Sequence, residues 1–239
     1  MKLLDLFCGA GGAAMGYHRA GFMDITGVDI KPQPHYPFKF IQADAMTFPL
    51  EGYDVIHASP PCQGESIMRN LPWLKDKDYP MLIVPTRERL KAIGVPWIIE
   101  NVFNARKSPQ KPYGMQAGYL CGTMFGLPFY RHRLFETSFF WMQPGHPKHE
   151  IVFRKGRMFG DRGNVAAEQI RSGGRARHFQ RAEIKGFPVG IGHMVNTAKV
   201  SASEGIDWMN AYELSQAVPP IFTEFIGKQL MAHLAQERP

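Results

Sequence analysis

Lys2-Leu3-Leu4-Asp5-Leu6-Phe7-Cys8-Gly9-Ala10-Gly11-Gly12 opens the chain and decides its fold. Residues 2–7 form a short, mainly apolar run of the kind a buried strand requires, and they lead directly into a glycine-rich turn. A helical pattern follows over 13–20 and stops at Gly21, a residue type that accepts the left-handed backbone at a helix C-terminus. A second strand over 25–30 carries Asp29 near its end. Working outward, strands are expected over 38–41, 54–58 and 96–100, with a helix over 79–93. A terminal helix is expected over 221–236, where Phe222, Phe225, Ile226, Leu230 and Leu234 recur at helical spacing. This alternation predicts an α/β fold with a doubly wound, mostly parallel sheet. Its glycine-rich and polar residues follow the strands, at the edge where such sheets bind ligands.

The composition narrows the class. The chain has 239 residues, 44% of them hydrophobic and 21% charged, and its 17 Phe, 8 Tyr and 4 Trp exclude a wholly disordered polymer. No apolar run approaches the roughly 20 residues that span a bilayer, so no membrane partner is expected. Asp5 breaks the apolar stretch that a secretory signal would need. The cysteines Cys8, Cys62 and Cys121 are odd in number and far apart, which argues against a disulfide framework and for a reducing, cytoplasmic setting. The nine histidines show no metal-ligand spacing, and no metal is expected. Of the net charge of +7, residues 148–185 carry +6, from ten basic against four acidic side chains. Glycines at 156, 160, 163, 173 and 174 make this segment read as mobile as well as basic. The asymmetry points to a polyanion partner, a solvated loop being the alternative.

Two constellations carry chemistry. In Phe7-Cys8-Gly9-Ala10-Gly11-Gly12 the amides can meet a ligand without interference from Cβ atoms, and Asp29 could accept hydrogen bonds from ribose hydroxyls. Taken alone, this pattern fits NAD, a flavin or S-adenosylmethionine. A side chain at Gly11 is expected to stand against that ligand. The second constellation is Ser59-Pro60-Pro61-Cys62-Gln63, whose prolines stiffen a turn that holds Cys62 at the sheet edge.

Together these resemble the S-adenosylmethionine-dependent cytosine-5 DNA methyltransferase family, in its compact bacterial or bacteriophage form. Asp5-Leu6-Phe7-Cys8-Gly9-Ala10-Gly11-Gly12 is similar to the family's cofactor turn, Pro61-Cys62-Gln63 to its nucleophile motif and Glu100-Asn101-Val102 to its Glu-Asn-Val. Arg131-His132-Arg133 resembles its Arg-x-Arg signature, and Ala217-Val218-Pro219-Pro220 its last motif. Phe129 stands where the family has Gln, and Gln216 where it has Asn. The Arg-based motif that braces the family's recognition domain is missing, with residues 205–209 the candidate for its place.

The resemblance implies a catalytic domain, Rossmann-like, over 1–140 and 205–239, with a small basic recognition insert over 141–204. It implies cofactor contacts from Phe7, Gly9, Ala10, Gly11, Gly12, Asp29, Ile30, Asp44, Ala45, Pro61, Gln216 and Ala217. The catalytic set it implies is Cys62, Glu100 and Arg133, with Arg131 beside them as a positioning residue. Contacts to double-stranded DNA are expected from Gln63, Ser66, Arg154, Lys155, Arg157, Arg171, Arg175, Arg177 and Arg181. Cys8 and Cys121, like Trp73, Trp97 and Trp208, read as packing residues.

The implied reaction is methylation of C5 of a flipped cytosine by a monomer, in a restriction–modification or phage setting, leaving S-adenosylhomocysteine. The rivals are the same chemistry on a transfer RNA and a protein that grips cofactor and DNA without turnover. An amino methyltransferase would carry an aromatic residue in place of Cys62, and an NAD enzyme would leave Pro-Pro-Cys-Gln unexplained.

Overall fold

The structure is a computed structural model that describes residues 1–65, 78–111, 117–149, 152–154, 157–159, 187–188 and 197–237. Strands β1 (Lys2–Leu6), β2 (Asp24–Asp29), β3 (Lys39–Gln42), β4 (Val55–Ala58) and β5 (Trp97–Val102) fall where the apolar runs place them. They pair in parallel in the order β3-β2-β1-β4-β5. Two later strands extend the sheet to seven: β8 (Arg133–Thr137) runs antiparallel to β5, and β6 (Gly118–Leu120) closes the edge against β8. β7 (Phe129–Tyr130) lies outside this sheet and pairs in parallel with β11 (Phe187–Pro188).

The central strands are buried on both faces, and alternate residues feed two separate cores. Leu3, Val55 and Ile98 point into one core, with Phe222, Ile226 and Leu230. Leu4, Ile56 and Ile99 point into the other, with Ile83 and Leu90. Helices α1 (Gly12–Ala20) and α5 (Pro220–Glu237) cover the first face, and α2 (Ile83–Ile93) the second. The sheet is therefore wound on both sides, as the alternation of the sequence predicts.

Boundaries shift for identifiable reasons. α2 starts at Ile83 rather than 79 because Pro80 biases the residue before it toward extended backbone. Pro85 sits in the first turn of α2, where proline is tolerated, and the Val84 N–H donates to Gln110 Oε1 at 3.1 Å. Pro220 opens α5, with its ring preset to the helical φ.

Helices α3 (Thr197–Glu204) and α4 (Ala211–Gln216) lead into α5, and α4 begins with a capping box between Asn210 and Glu213. At the margins of the expected insert, Trp141 packs into the first core, and Val200 joins Phe129, Ile206 and Leu214 in a third cluster. Within the insert, β9 (Val152–Arg154) and β10 (Arg157–Phe159) form an antiparallel pair with Arg154 opposite Arg157 in register. Ser66, Trp73, Lys155, Arg171, Arg175, Arg177 and Arg181 lie outside the described residues. Among the described residues no helix is long and apolar enough to cross a membrane.

Candidate active site

A cleft of about 310 Å³ opens at the carboxyl ends of the parallel strands. Each of its walls comes from a different strand end. Phe7, Gly9, Ala10 and Gly12 follow β1, Asp29 and Ile30 end β2, Pro61, Cys62 and Gln63 follow β4, and Glu100 lies on β5. Arg133 enters from β8, and Gln216 and Ala217 close the far side. Residues up to 211 apart in sequence thus share one volume.

The turn is shaped for close approach to a ligand. Phe7 has φ 56°, the only positive value at a non-glycine residue among the described ones, and such strain is held where a site needs it. Gly9 has φ 48°, and a Cβ there would meet nothing within 4 Å, so its backbone faces open space. The Gly9 N–H donates to Asp29 Oδ2 at 3.1 Å and the Lys31 N–H to Asp29 Oδ1 at 3.0 Å. Both bonds orient the carboxylate, while each oxygen keeps a lone pair for ribose hydroxyls. Ile30, 66% exposed, offers an apolar surface beside it. Open backbone, an oriented carboxylate and an apolar plane together fit an adenosine-bearing cofactor.

Gly11 behaves differently from expectation. A Cβ on it would strike Pro37 Cδ at 2.7 Å and the Tyr36 ring at 3.1 Å, so Gly11 lets the turn pack under that loop and does not face the ligand. A Cβ on Gly12 would meet the Val218 carbonyl, which brings the last motif against the turn. Asp44 and Ala45 stand away from the cleft. Asp44 Oδ1 caps the Met46 N–H at 2.8 Å, and the buried Ala45 accepts from Arg89 Nη1 at 2.7 Å.

The reactive end is built by the β5–β8 ladder. Its register sets Val102 opposite Arg133 and Glu100 opposite Phe135, so Glu100 and Arg133 are diagonal neighbours on one face. Arg133 Nε stands 2.8 Å from Glu100 Oε1, with both side chains under a tenth exposed. Asn101, on the opposite face, donates from Nδ2 to the Pro60 carbonyl at 3.0 Å and fastens the Pro-Pro-Cys turn to β5.

Burial raises the Glu100 carboxyl above its ordinary pKa, against the opposing pull of Arg133, Arg131 and the Ser59 hydroxyl. Burial likewise raises the Cys62 thiol, with Arg133 pulling down and Glu100 pushing up. Ser59 is itself the end of a buried relay. Tyr17 Oη lies 2.9 Å from His57 Nδ1, and His57 Nε2 lies 2.9 Å from Ser59 Oγ. Desolvation drops His57 to about 3, so its ring is neutral and passes one hydrogen bond along.

Arg131 does not line the cleft. Its Nη2 donates to the carbonyls of Ser215 at 2.8 Å and Ala217 at 2.6 Å, which ties the Arg131–Arg133 segment to the last motif. Phe129, in the place of the family's Gln, is fully buried in the third cluster. Trp208, from the 205–209 segment, donates from Nε1 to the Ala10 carbonyl at 2.8 Å and so braces the glycine turn. Lys31, Gln33, Tyr212, Glu213 and Val218 also line the cleft and were not foreseen. For Glu213 the capping-box pattern Asn-x-x-Glu was a legible signal, and Val218 lies within the last motif; Lys31, Gln33 and Tyr212 carry none.

The model of the family described as C-5 cytosine-specific DNA methylase matches residues 1–139. The chain belongs to that family. A curated relative, Type II methyltransferase M1.HphI of Haemophilus parahaemolyticus, is 34% identical over 83 residues, covering 28% of this chain and 22% of that protein. The methylase fold recurs in solved structures of low identity. A protein described as a DNA modification methyltransferase encoded within an E. coli prophage aligns over 98% of this chain and 99% of its own, with TM-score 0.58 and 17% identity. The Dnmt2 methyltransferase of S. pombe aligns over 98% and 99%, with TM-score 0.60 and 14% identity. The methyltransferase EhMeth of Entamoeba histolytica aligns over 98% of both chains, with TM-score 0.57 and 13% identity.

Proposed function

We propose that this methylase transfers a methyl group from S-adenosylmethionine to C5 of a cytosine flipped out of double-stranded DNA, by way of a covalent bond from Cys62. The observation that carries the reading is the cleft itself. It joins the glycine turn and Asp29 to Cys62 and to a buried Glu100 paired with Arg133.

Phe7, Gly9, Asp29 and Ile30 would hold the cofactor, which supplies an electrophilic methyl when bound. Cytosine C5 is a poor nucleophile until C6 is attacked, and a cysteine sulfur can make that attack. As the S–C6 bond forms, the thiol proton leaves and electron density moves through the ring toward C5. Glu100, whose burial favours its protonated form, donates toward ring N3 and offsets the charge that builds there. Arg133 lies beside it as a donor for the cytosine O2 and lowers the cost of the Cys62 thiolate. C5 would then take the methyl as the cofactor's sulfonium–carbon bond breaks, its proton would pass to solvent water, and expulsion of the Cys62 thiolate from C6 would release 5-methylcytosine. Extrusion of the base costs a few kcal/mol, to be recovered from contacts with the emptied duplex and the pocket. Arg131 acts by position, holding Ser215–Ala217 at the mouth of the cleft.

Duplex DNA carrying 5-fluorocytosine tests this, because fluorine cannot leave as a proton does. The expected result is a stable protein–DNA adduct with S-adenosylmethionine present, lost in Cys62→Ser. An adduct that persists in that variant overturns the role of Cys62. An adduct formed only with fluorinated transfer RNA overturns the DNA substrate.

A further inference from the structure

Away from the cleft, four side chains with metal-ligating atoms meet at the edge of the sheet. The atoms of Cys121, His132, His146 and His149 all lie within 4.8 Å of one another. The closest pairs are His132 Nε2 to His146 Nε2 at 3.0 Å and Cys121 Sγ to His149 Nε2 at 3.3 Å. Bond lengths of about 2.0 Å to nitrogen and 2.3 Å to sulfur place tetrahedral ligands about 3.3–3.6 Å apart, so the group needs only small side-chain shifts to close on one ion.

The scaffold under the group is firm. β6 and β8 pair Leu120 with Arg133, and continuing that register by one residue sets Cys121 opposite His132. His146 and His149 arrive from the chain beyond Trp141, which is anchored in the first core. Their rings are held by aromatic neighbours: His149 stacks on Tyr130 at 4.0 Å between centroids, and His146 stacks on His132 at 5.1 Å.

We propose that Cys121, His132, His146 and His149 form a structural site for one divalent transition-metal ion, zinc foremost. The donor set decides the class. One thiolate and three imidazoles suit a borderline-soft cation, whereas magnesium and calcium demand oxygen ligands. Four protein ligands close the coordination shell, which is the mark of a structural rather than a catalytic centre. The site would pin His132, which stands between Arg131 and Arg133, to the start of the chain that leads into the basic segment. It would thus couple the placement of the catalytic arginine to the root of the insert.

The test is the metal content of the full-length chain, purified without added chelator and measured by inductively coupled plasma mass spectrometry. One zinc per chain is expected. Stripping with a chelator should lower the melting temperature by several degrees, and adding Zn²⁺ alone should restore it. Reloading with Co²⁺ should produce a near-ultraviolet thiolate–cobalt charge-transfer band that Cys121→Ala abolishes and Cys8→Ala leaves in place. If Cys121→Ala does not fold, His146→Gln at its partly exposed position serves instead, with an expected loss of zinc affinity of at least tenfold. Substoichiometric zinc in the purified chain together with no uptake of Zn²⁺ or Co²⁺ overturns the site. So does a charge-transfer band that survives Cys121→Ala, or zinc affinity unchanged in His146→Gln.

Discussion

Glu100 and Cys62 both sit beside a cation, yet both pKa values rise, because loss of water outweighs the attraction of Arg133. The relay Tyr17–His57–Ser59 orients the Ser59 hydroxyl, which works with Arg133 and Arg131 against the rise at Glu100. With His57 replaced by Leu, Ser59 Oγ loses its buried partner, at a cost of about 1–3 kcal/mol. The expected outcome is a fall in kcat of at least tenfold with the KM for S-adenosylmethionine unchanged, measured by transfer of a radiolabelled methyl group. Equal kcat in the variant would reduce the relay to packing. Asp5 gives a pH prediction. It is fully buried, Tyr36 donates to its Oδ2 at 3.3 Å, and burial pushes its pKa up to about 8. Since the unfolded value is about 3.9, the folded state holds the proton more tightly, so this contribution to stability is complete at acid pH and is lost as pH rises toward the folded value. Glu204, raised by burial to about 7, adds in the same direction. Melting temperature should therefore fall between about pH 5 and 8 in the wild type, and fall less in Asp5→Asn, which mimics the neutral acid.

Elements in this protein are held by two different devices. α1 and α5 approach closely because they meet at glycines: a Cβ at Gly16 would run into Thr223 Oγ1 and the Pro220 carbonyl, and one at Gly227 would reach Ala20 Cβ at 2.8 Å. Gly16→Val should force the helices apart and destabilise by at least the 1–3 kcal/mol typical of an overpacked core, read as a lower urea midpoint. On the other face, α2 is fastened to β8 by a buried ion pair, Arg87 Nη2 to Glu136 Oε2 at 2.8 Å and Nε to Oε1 at 2.9 Å. Arg87 Nη2 also donates to the Gln110 carbonyl at 3.1 Å, and Gln110 Nε2 donates to Glu65 Oε1 at 3.0 Å, three residues past the Cys62 turn. Removing one partner strands the other charge in the interior, so Glu136→Ala should cost about 3–5 kcal/mol in denaturant unfolding. A cost below 1 kcal/mol would show that water or another acid reaches Arg87.

At the scale of the whole molecule, charge is segregated from chemistry. Residues 148–185 hold +6 of the net +7, while the cleft is made by the rest of the chain. If six of these charges neutralise phosphates, log K for duplex DNA should fall with log salt at a slope of about −5. Replacing Arg175 and Arg177 with Ala should flatten that slope by about two, with little change in base preference. Titrations of both proteins at several salt concentrations measure this, and an unaltered slope would mean that these two arginines never touch the backbone.

Local sequence determined the parallel half of the fold and the glycine-turn edge of the cleft. The runs at β1, β2, β4 and β5 are apolar because both faces are buried, and the glycine turn and Asp29 must follow their strands wherever the strands go. The Pro-Pro-Cys turn and Glu-Asn-Val were equally legible, since each is a contiguous string. β6, β7 and β8 were not, because β6 and β7 have only three and two residues and the charged Arg133 and Glu136 interrupt any apolar run in β8. Only the tertiary structure decided that β8 inserts antiparallel beside β5, and that register is what sets Arg133 diagonally across from Glu100. It also turned Gly11 toward Pro37, sent Arg131 to the carbonyls of the last motif, and gathered Cys121 and His132 with His146 and His149 from the chain beyond Trp141. Contacts of this kind join residues tens of positions apart. The chain carries no local mark of them, because what brings them together is the pairing of strands and the closure of the two cores around the sheet.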